Sequence, residues 1–233
     1  MTGHRSALIG IWSAPFIVAG LTAGFLLAGL FPPPPADATA AEATEKLFGD
    51  VTALRIGLLI TSIAVTGFTF WGASVASQMR RIEGVGAPMA RVMLAGSAML
   101  TTMTIMYCFL FLGWVLREGR PEEMTLAVYD LFWVPFVGIL MPTMMMGAAL
   151  AITVFGDRSP TPLFPRWVGW LSAWYAIGSL AGALVPFFTT GPFAWNGGIA
   201  FYTAFTEFFV WFFPVTIVAR RAILAQLAEA EAA

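Results

Sequence analysis

The chain has 233 residues, of which 59% are hydrophobic and 11% are charged, and its formal net charge is -1. A soluble domain normally carries about 25% charged residues, so this composition excludes a water-soluble globular protein. Because the net charge is near zero and no basic tract occurs, we expect no nucleic-acid partner. The single His4 and single Cys108 exclude a multi-histidine metal site and an intrachain disulfide, so we predict no metal site and can name no cofactor.

Six apolar runs are each long enough to cross a bilayer, which takes about 20 residues in a helix. They predict an all-α polytopic integral membrane protein with one transmembrane domain, residues 1–233. The predicted spans lie at about 6–31, 54–78, 89–116, 124–155, 167–188 and 197–219, and an outer loop lies at 32–53.

Basic residues predict the orientation of these spans, because lysine and arginine collect in cytoplasmic loops. With both termini in the cytoplasm, one group of basic residues is cytoplasmic: Arg5, Arg80, Arg81, Arg91, Arg158, Arg166, Arg220 and Arg221. A smaller group lies outside: Lys46, Arg55, Arg117 and Arg120. The excess of arginine over lysine is typical of a GC-rich bacterial genome, so we expect a bacterial cytoplasmic membrane.

In the first span, Gly20 and Gly24 form a face on which a neighbouring helix can approach closely. The prolines from Pro32 to Pro35 are expected to end this helix, because they lack backbone donors. The acidic segment that follows, Ala36–Asp50, is expected to form a short surface helix in the outer loop.

Prolines and glycines also mark the later spans. The fourth predicted span is long, and Pro135 and Pro142 should kink it because neither can donate the helical hydrogen bond. Gly178 and Gly182 form a second closely spaced pair in the fifth span. The tail after the sixth span, 222–233, is expected to be a frayed amphipathic end.

Two carboxylates lie inside predicted spans, where a charge costs roughly 2.5–3.5 kcal/mol on insertion scales. Glu207 is about 16 Å deep, near the centre of a hydrocarbon core some 30 Å thick, and Asp130 is about 10 Å deep. Desolvation favours the neutral, protonated form of a buried acid. Both acids are therefore candidate polar groups of an intramembrane site, and they can share a cavity only if the fourth and sixth spans pack together.

Helical periodicity predicts which residues accompany these acids. Spacings of three or four residues place one set on a single face of the sixth span: Asn196, Ala200, Thr203, Glu207, Trp211 and Pro214. Trp133 lies beside Asp130, and Arg55 is the basic residue placed to reach the acids from a neighbouring span. We therefore predict a ligand-binding set of Glu207, Asp130, Thr203, Trp211, Trp133, Asn196 and Arg55. Four tyrosines are possible hydrogen-bond donors: Tyr107, Tyr129, Tyr175 and Tyr202.

Three functions are compatible with this pattern. Aromatic and methionine side chains around a few polar groups favour a bundle that binds, and carries or modifies, a small apolar or lipid-like molecule. The small-residue faces and short loops also fit a non-catalytic subunit that assembles with itself or with a partner membrane protein. A proton-coupled carrier is less favoured, because the six spans contain no clear inverted repeat.

Overall fold

A computed structural model describes the backbone of residues 3–232, and the side chains of residues 5–139 and 141–232. Within this range the regular structure is entirely helical. The α-helices are α1 Gly3–Ile11, α2 Ser13–Leu27, α3 Ala40–Phe48, α4 Val51–Val65, α5 Gly67–Met79, α6 Gly86–Trp114, α7 Glu122–Val137, α8 Leu140–Gly156, α9 Arg166–Gly178 and α10 Ala204–Ala232. A 3₁₀-helix, Ser179–Phe187, follows α9, and a π-helical segment, Gly198–Thr203, precedes α10.

These helices form six spans that are long and apolar enough to cross a membrane, so the predicted six-span, all-α architecture is confirmed. We number them span 1 to span 6: Arg5–Leu27, Val51–Met79, Gly86–Trp114, Glu122–Gly156, Arg166–Phe187 and Gly198–Ala232. Each span packs against the next in sequence, and span 6 returns to pack against span 1. The six spans therefore form a closed ring.

The two ends of this ring differ. Both described termini lie at one end, which we call the terminal end, where α1 packs against α5 and α10. The surface helix α3 lies at the opposite end, which we call the capped end, and it packs against α7 with Ala43 and Leu47 buried. A capping box begins α3, because Thr39 and Glu42 satisfy each other's backbone N–H groups. The predicted surface helix is therefore present.

Span 1 ends four residues before its predicted end, and a glycine rather than the proline run terminates it. Gly29 adopts a φ of +66°, a conformation that L side chains rarely take. The amide of Gly29 donates to the Leu26 carbonyl at 3.1 Å, and the amide of Leu30 donates to the Phe25 carbonyl at 2.9 Å. This arrangement is a Schellman motif, which satisfies carbonyls that the helix end would leave unpaired.

Span 6 continues to Ala232, well beyond its predicted end at residue 219. Ile223 is buried in the core, and the Gln78 side chain donates to Gln226 at 3.2 Å. Arg81 and Glu229 form an ion pair of 3.8 Å. The tail is helical because its apolar face covers the end of span 2.

Span 4 is interrupted at Gly138–Ile139, which separates α7 from α8. Pro142 has no N–H to donate to the Gly138 carbonyl, so the helical ladder cannot continue through this point. The kink predicted at Pro142 is present as a break between two helices, whereas α7 continues through Pro135.

Aromatic residues form two layers in the ring. The layer in the terminal half contains Phe68, Trp71, Tyr175, Trp211 and Phe212. The layer in the capped half contains Phe111, Tyr129, Phe132, Trp133 and Trp195. Within this layer the Phe111 and Phe132 rings stack with centroids 4.0 Å apart. The Trp195 indole N–H donates to the Pro34 carbonyl at 3.0 Å, so a hydrogen bond connects the outer loop with the segment between spans 5 and 6.

Candidate functional site

A cavity of about 340 Å³ lies between the two aromatic layers, and all six spans contribute side chains to its wall. Phe25 of span 1 and Phe136 of span 4 stack at one side, with ring centroids 5.1 Å apart. Phe68 and Leu100 form the wall from spans 2 and 3, and Phe208 forms it from span 6. Spans 4 and 6 thus face each other across open space.

Among the described residues, the wall of the cavity is almost wholly apolar and contains no charged side chain. Its polar side chains are Thr22, Thr104, Thr143 and Tyr175. Thr104 donates to the Leu100 carbonyl at 2.8 Å, and Thr143 donates to the Ile139 carbonyl at 3.0 Å, so both hydroxyl protons are used within their own helices. The Tyr175 hydroxyl is buried and has no hydrogen-bond partner among the described residues.

Glu207 lies directly behind this wall, at the contact between spans 5 and 6. Its side chain is only 4% exposed, and its Oε1 atom has no hydrogen-bond partner within the described part of the chain. The carboxyl group rests on Gly178, where a Cβ atom would overlap with it. Glycine at position 178 therefore provides the space that the carboxyl group occupies.

Tyr175 and Glu207 face the same contact. Tyr175 and Gly178 are three residues apart and share a face of span 5, just as Glu207 and Trp211 share a face of span 6. The Tyr175 and Trp211 rings stack with centroids 4.3 Å apart, and Trp211 lies one helical turn after Glu207 on the same face of span 6. Tyr175 lines the cavity and Glu207 does not. Each of these two residues has a buried oxygen atom that lacks a hydrogen-bond partner among the described residues.

Trp211 is held in place by a hydrogen bond from its Nε1 atom to the Ser172 hydroxyl, with a length of 2.9 Å. Because its indole nitrogen is already paired and its ring is fully buried, Trp211 orients Tyr175 rather than forming part of the cavity wall. The predicted association of Trp211 with Glu207 on one face is present.

Irregular backbone from three spans meets at this level. Span 5 changes from α- to 3₁₀-helix directly after Gly178, and span 6 changes from π- to α-helix directly before Ala204. Gly182 lies against the break in span 4 at Gly138. Non-helical backbone within a membrane is tolerated where it is buried in protein or lines a cavity, and π-helical turns are frequent at functional sites.

The π-helical segment explains why the predicted face of span 6 is not continuous. A π-turn inserts an extra residue, so the residues before Ala204 are rotated relative to Glu207. Thr203 is exposed on the outer surface and donates to the Gly198 carbonyl at 2.9 Å, five residues back. Asn196 is half-buried in the connector before span 6. Neither side chain reaches the cavity wall.

Asp130 and Arg55 lie away from Glu207. Asp130 is exposed on the outer surface of span 4 and is not part of the cavity wall. Arg55 donates to the Val115 carbonyl at 2.6 Å, at the C-terminal end of span 3. A cation is favourable there because helical carbonyls are unpaired at that end. The two acids therefore do not share one cavity.

Trp133 is fully buried in the aromatic layer of the capped half and does not line the cavity. Of the predicted set, the structure thus brings together only Glu207 and Trp211. A role in ligand binding stays a prediction for every member.

Tyr175 is one of the four tyrosines that the sequence offers as possible hydrogen-bond donors. The available signal was its spacing of three residues from Gly178, in a span where the glycine pair requires a close neighbour. Phe68, Leu100 and Phe208 also line the cavity, and apolar residues of this kind cannot be separated from ordinary packing residues by sequence.

Both glycine pairs contact other spans of the same chain. Gly24 of the first pair lies against Thr61 and Gly57 of span 2, and Gly20 lies against Ala64. Gly178 and Gly182 lie against spans 6 and 4 respectively. The small-residue faces therefore no longer argue for assembly with another chain.

No protein-family model matches the chain, and no curated protein or solved structure shows significant similarity to it.

Proposed function

We propose that this integral membrane protein binds a small apolar or lipid-like molecule in the central cavity, within a bacterial cytoplasmic membrane. The single observation that carries the proposal is the cavity itself, about 340 Å³ in volume and walled by all six spans. Small-molecule sites measure about 300–1,000 Å³ and combine apolar walls with a few polar groups.

The polar group of the ligand would lie at the Tyr175 side of the cavity. Buried polar atoms normally have hydrogen-bond partners, and an unpaired one costs about 1–3 kcal/mol. The Tyr175 hydroxyl and Glu207 Oε1 have none among the described residues. A hydroxyl or carbonyl group of the ligand would form a hydrogen bond with one or both of these oxygen atoms. If the Glu207 carboxyl group comes within hydrogen-bond reach of the ligand, the two could exchange a proton.

Mass spectrometry of small molecules retained by the purified protein tests this proposal. We expect a retained apolar or weakly polar compound in the wild-type protein and its loss in Leu100→Phe, where the larger ring fills the cavity. Ala204→Leu fills the same cavity from span 6 and should act in the same way. The matched control is Leu59→Phe, which makes the same change at an exposed position of span 2 outside the cavity wall.

Thermal unfolding of each variant separates loss of ligand from loss of fold. If the folded wild-type protein retains no compound, or if both cavity-filling variants retain as much as Leu59→Phe, the proposal is wrong.

A further inference from the structure

We propose that the cavity opens sideways into the bilayer between spans 1 and 6. We further propose that its ligand is a single-chain amphiphile with a small neutral polar end. This inference rests on the proposed function, because it concerns the molecule that the cavity would hold.

Spans 1 and 6 are in close contact only in their terminal halves. The contact with α10 is made mainly by α1, whereas α2 packs against α4 and α5 of span 2. In the capped half, aromatic rings connect the loop that follows span 1 with span 6: the ring centroid of Phe31 lies 6.2 Å from that of Phe201 and 6.0 Å from that of Phe205. These contacts join side chains rather than backbones, so a change of rotamer can separate them.

The rings at this point belong to the cavity wall and to the outer surface at the same time. Phe31 and Phe205 both line the cavity, yet they are 37% and 42% exposed. Thr22 of span 1 also lines the cavity and is exposed. The cavity therefore reaches the surface of the protein between spans 1 and 6, and we call this opening the lateral portal.

The surroundings of the lateral portal are apolar. Leu26 lies one helical turn from Thr22 and is exposed, and Ile199 and Tyr202, next to Phe201, are exposed as well. Among the described residues, no charged side chain lines the cavity. A charged group passing this opening would lose its hydration without a partner, which costs far more than passage of a neutral one. The portal thus admits molecules dissolved in the bilayer and rejects phosphate-bearing head groups.

The positions of the portal and of the unpaired oxygen atoms indicate how the ligand would lie. Tyr175 and Glu207 are inside the ring, at the contact of spans 5 and 6, whereas the portal is at the edge between spans 6 and 1. A small hydroxyl or protonated carboxyl end would reach Tyr175, and the hydrocarbon chain would extend past Phe205 into the bilayer.

Photolabelling tests the inference with a defined probe. The probe is a long-chain primary alcohol that carries a diazirine next to its hydroxyl end, in vesicles of phosphatidylethanolamine and phosphatidylglycerol containing the whole protein. This end of a free amphiphile remains at the membrane interface. We expect label on Phe68 and Leu100, which are buried and line the cavity. We expect no label on Trp71 and Met93, which are also buried but do not line the cavity.

A variant of the portal gives the second readout. Phe205→Ala removes the contact between the Phe31 and Phe205 rings across the portal. It should speed labelling of the cavity residues about tenfold, which corresponds to a decrease of about 1.4 kcal/mol in the barrier to entry of the probe. Phe31→Ala removes the opposing ring and should act in the same direction. The matched control is Phe213→Ala, because Phe213 is also on span 6 and 43% exposed but does not line the cavity.

The outcomes distinguish the two proposals. If the purified protein retains a compound but the probe labels no cavity residue, the lateral portal is wrong and the binding function stands. The same conclusion follows if the probe labels the cavity residues equally fast in Phe205→Ala and Phe213→Ala. If the protein retains no compound and the probe labels no cavity residue, both proposals are wrong.

Discussion

At the scale of single residues, Glu207 is the group with the greatest energetic demand. A carboxyl group inside a membrane-spanning helix needs a partner for each oxygen atom, and Oε1 has none among the described residues. The chain makes room for this group by placing Gly178 against it. Glycine lowers the stability of a helix by about 1 kcal/mol relative to alanine, so its presence here reflects the need for space.

Glu207→Gln is expected to weaken ligand retention by up to about tenfold, because a hydrogen bond contributes about 0.5–1.5 kcal/mol and the amide offers a different donor pattern from a protonated carboxyl group. The measurement is the amount of retained compound per folded protein. Asp130→Asn is the matched control, since it makes the equivalent change in an exposed acid that lies away from the cavity. Equal retention by the two variants would contradict a role for Glu207.

At the scale of elements, the turn between spans 4 and 5 depends on one carboxylate. Asp157 accepts hydrogen bonds from the amide and hydroxyl of Ser159 at 2.9 and 2.6 Å, and from the Leu163 amide at 3.2 Å. Burial alone would raise the pKa of Asp157, but these hydrogen bonds and the nearby Arg166 together lower it below its usual value.

Because the folded-state pKa of Asp157 is lowered, its stabilisation is present above the unfolded pKa of about 3.9 and is lost as the pH falls through the folded value. We expect Asp157→Asn to unfold at a lower temperature than wild type at about pH 7, with the difference shrinking below about pH 4. Thermal unfolding in detergent across this range measures it. Asp37→Asn, an exposed acid at the other end of the bundle, should show no such difference.

At the scale of the whole molecule, the closed ring of spans places both described termini at one end. The distribution of basic residues predicts that this end faces the cytoplasm. Two exposed positions can test the orientation, Glu118 at the capped end and Arg158 at the terminal end. The native Cys108 is buried, so it does not compete for a thiol reagent.

In intact cells, a membrane-impermeant maleimide should label Glu118→Cys, whereas Arg158→Cys should react only after the membrane is made permeable. In intact cells the labelling of Glu118→Cys should greatly exceed that of Arg158→Cys, because the membrane keeps the reagent from the cytoplasmic side. The reverse pattern would show that the positive-inside rule assigns this chain incorrectly.

The amino-acid sequence by itself determined the number of spans, the surface helix α3 and the break in span 4. These features follow from local causes, namely the length of an apolar run, a capping residue followed by its acid, and a proline without an N–H group. The burial of Glu207 could also be predicted, because a carboxyl group is disfavoured against lipid.

Only the tertiary structure decided which side chains meet. Asp130 and Arg55 face away from Glu207 because the rotation of each span depends on its neighbours, and constant helical periodicity fails where the π-helical segment Gly198–Thr203 inserts a residue. Likewise, the cavity exists because the six spans close into a ring whose aromatic layers do not meet in the middle. That space is a property of the whole assembly of helices, so no single stretch of sequence could have revealed it.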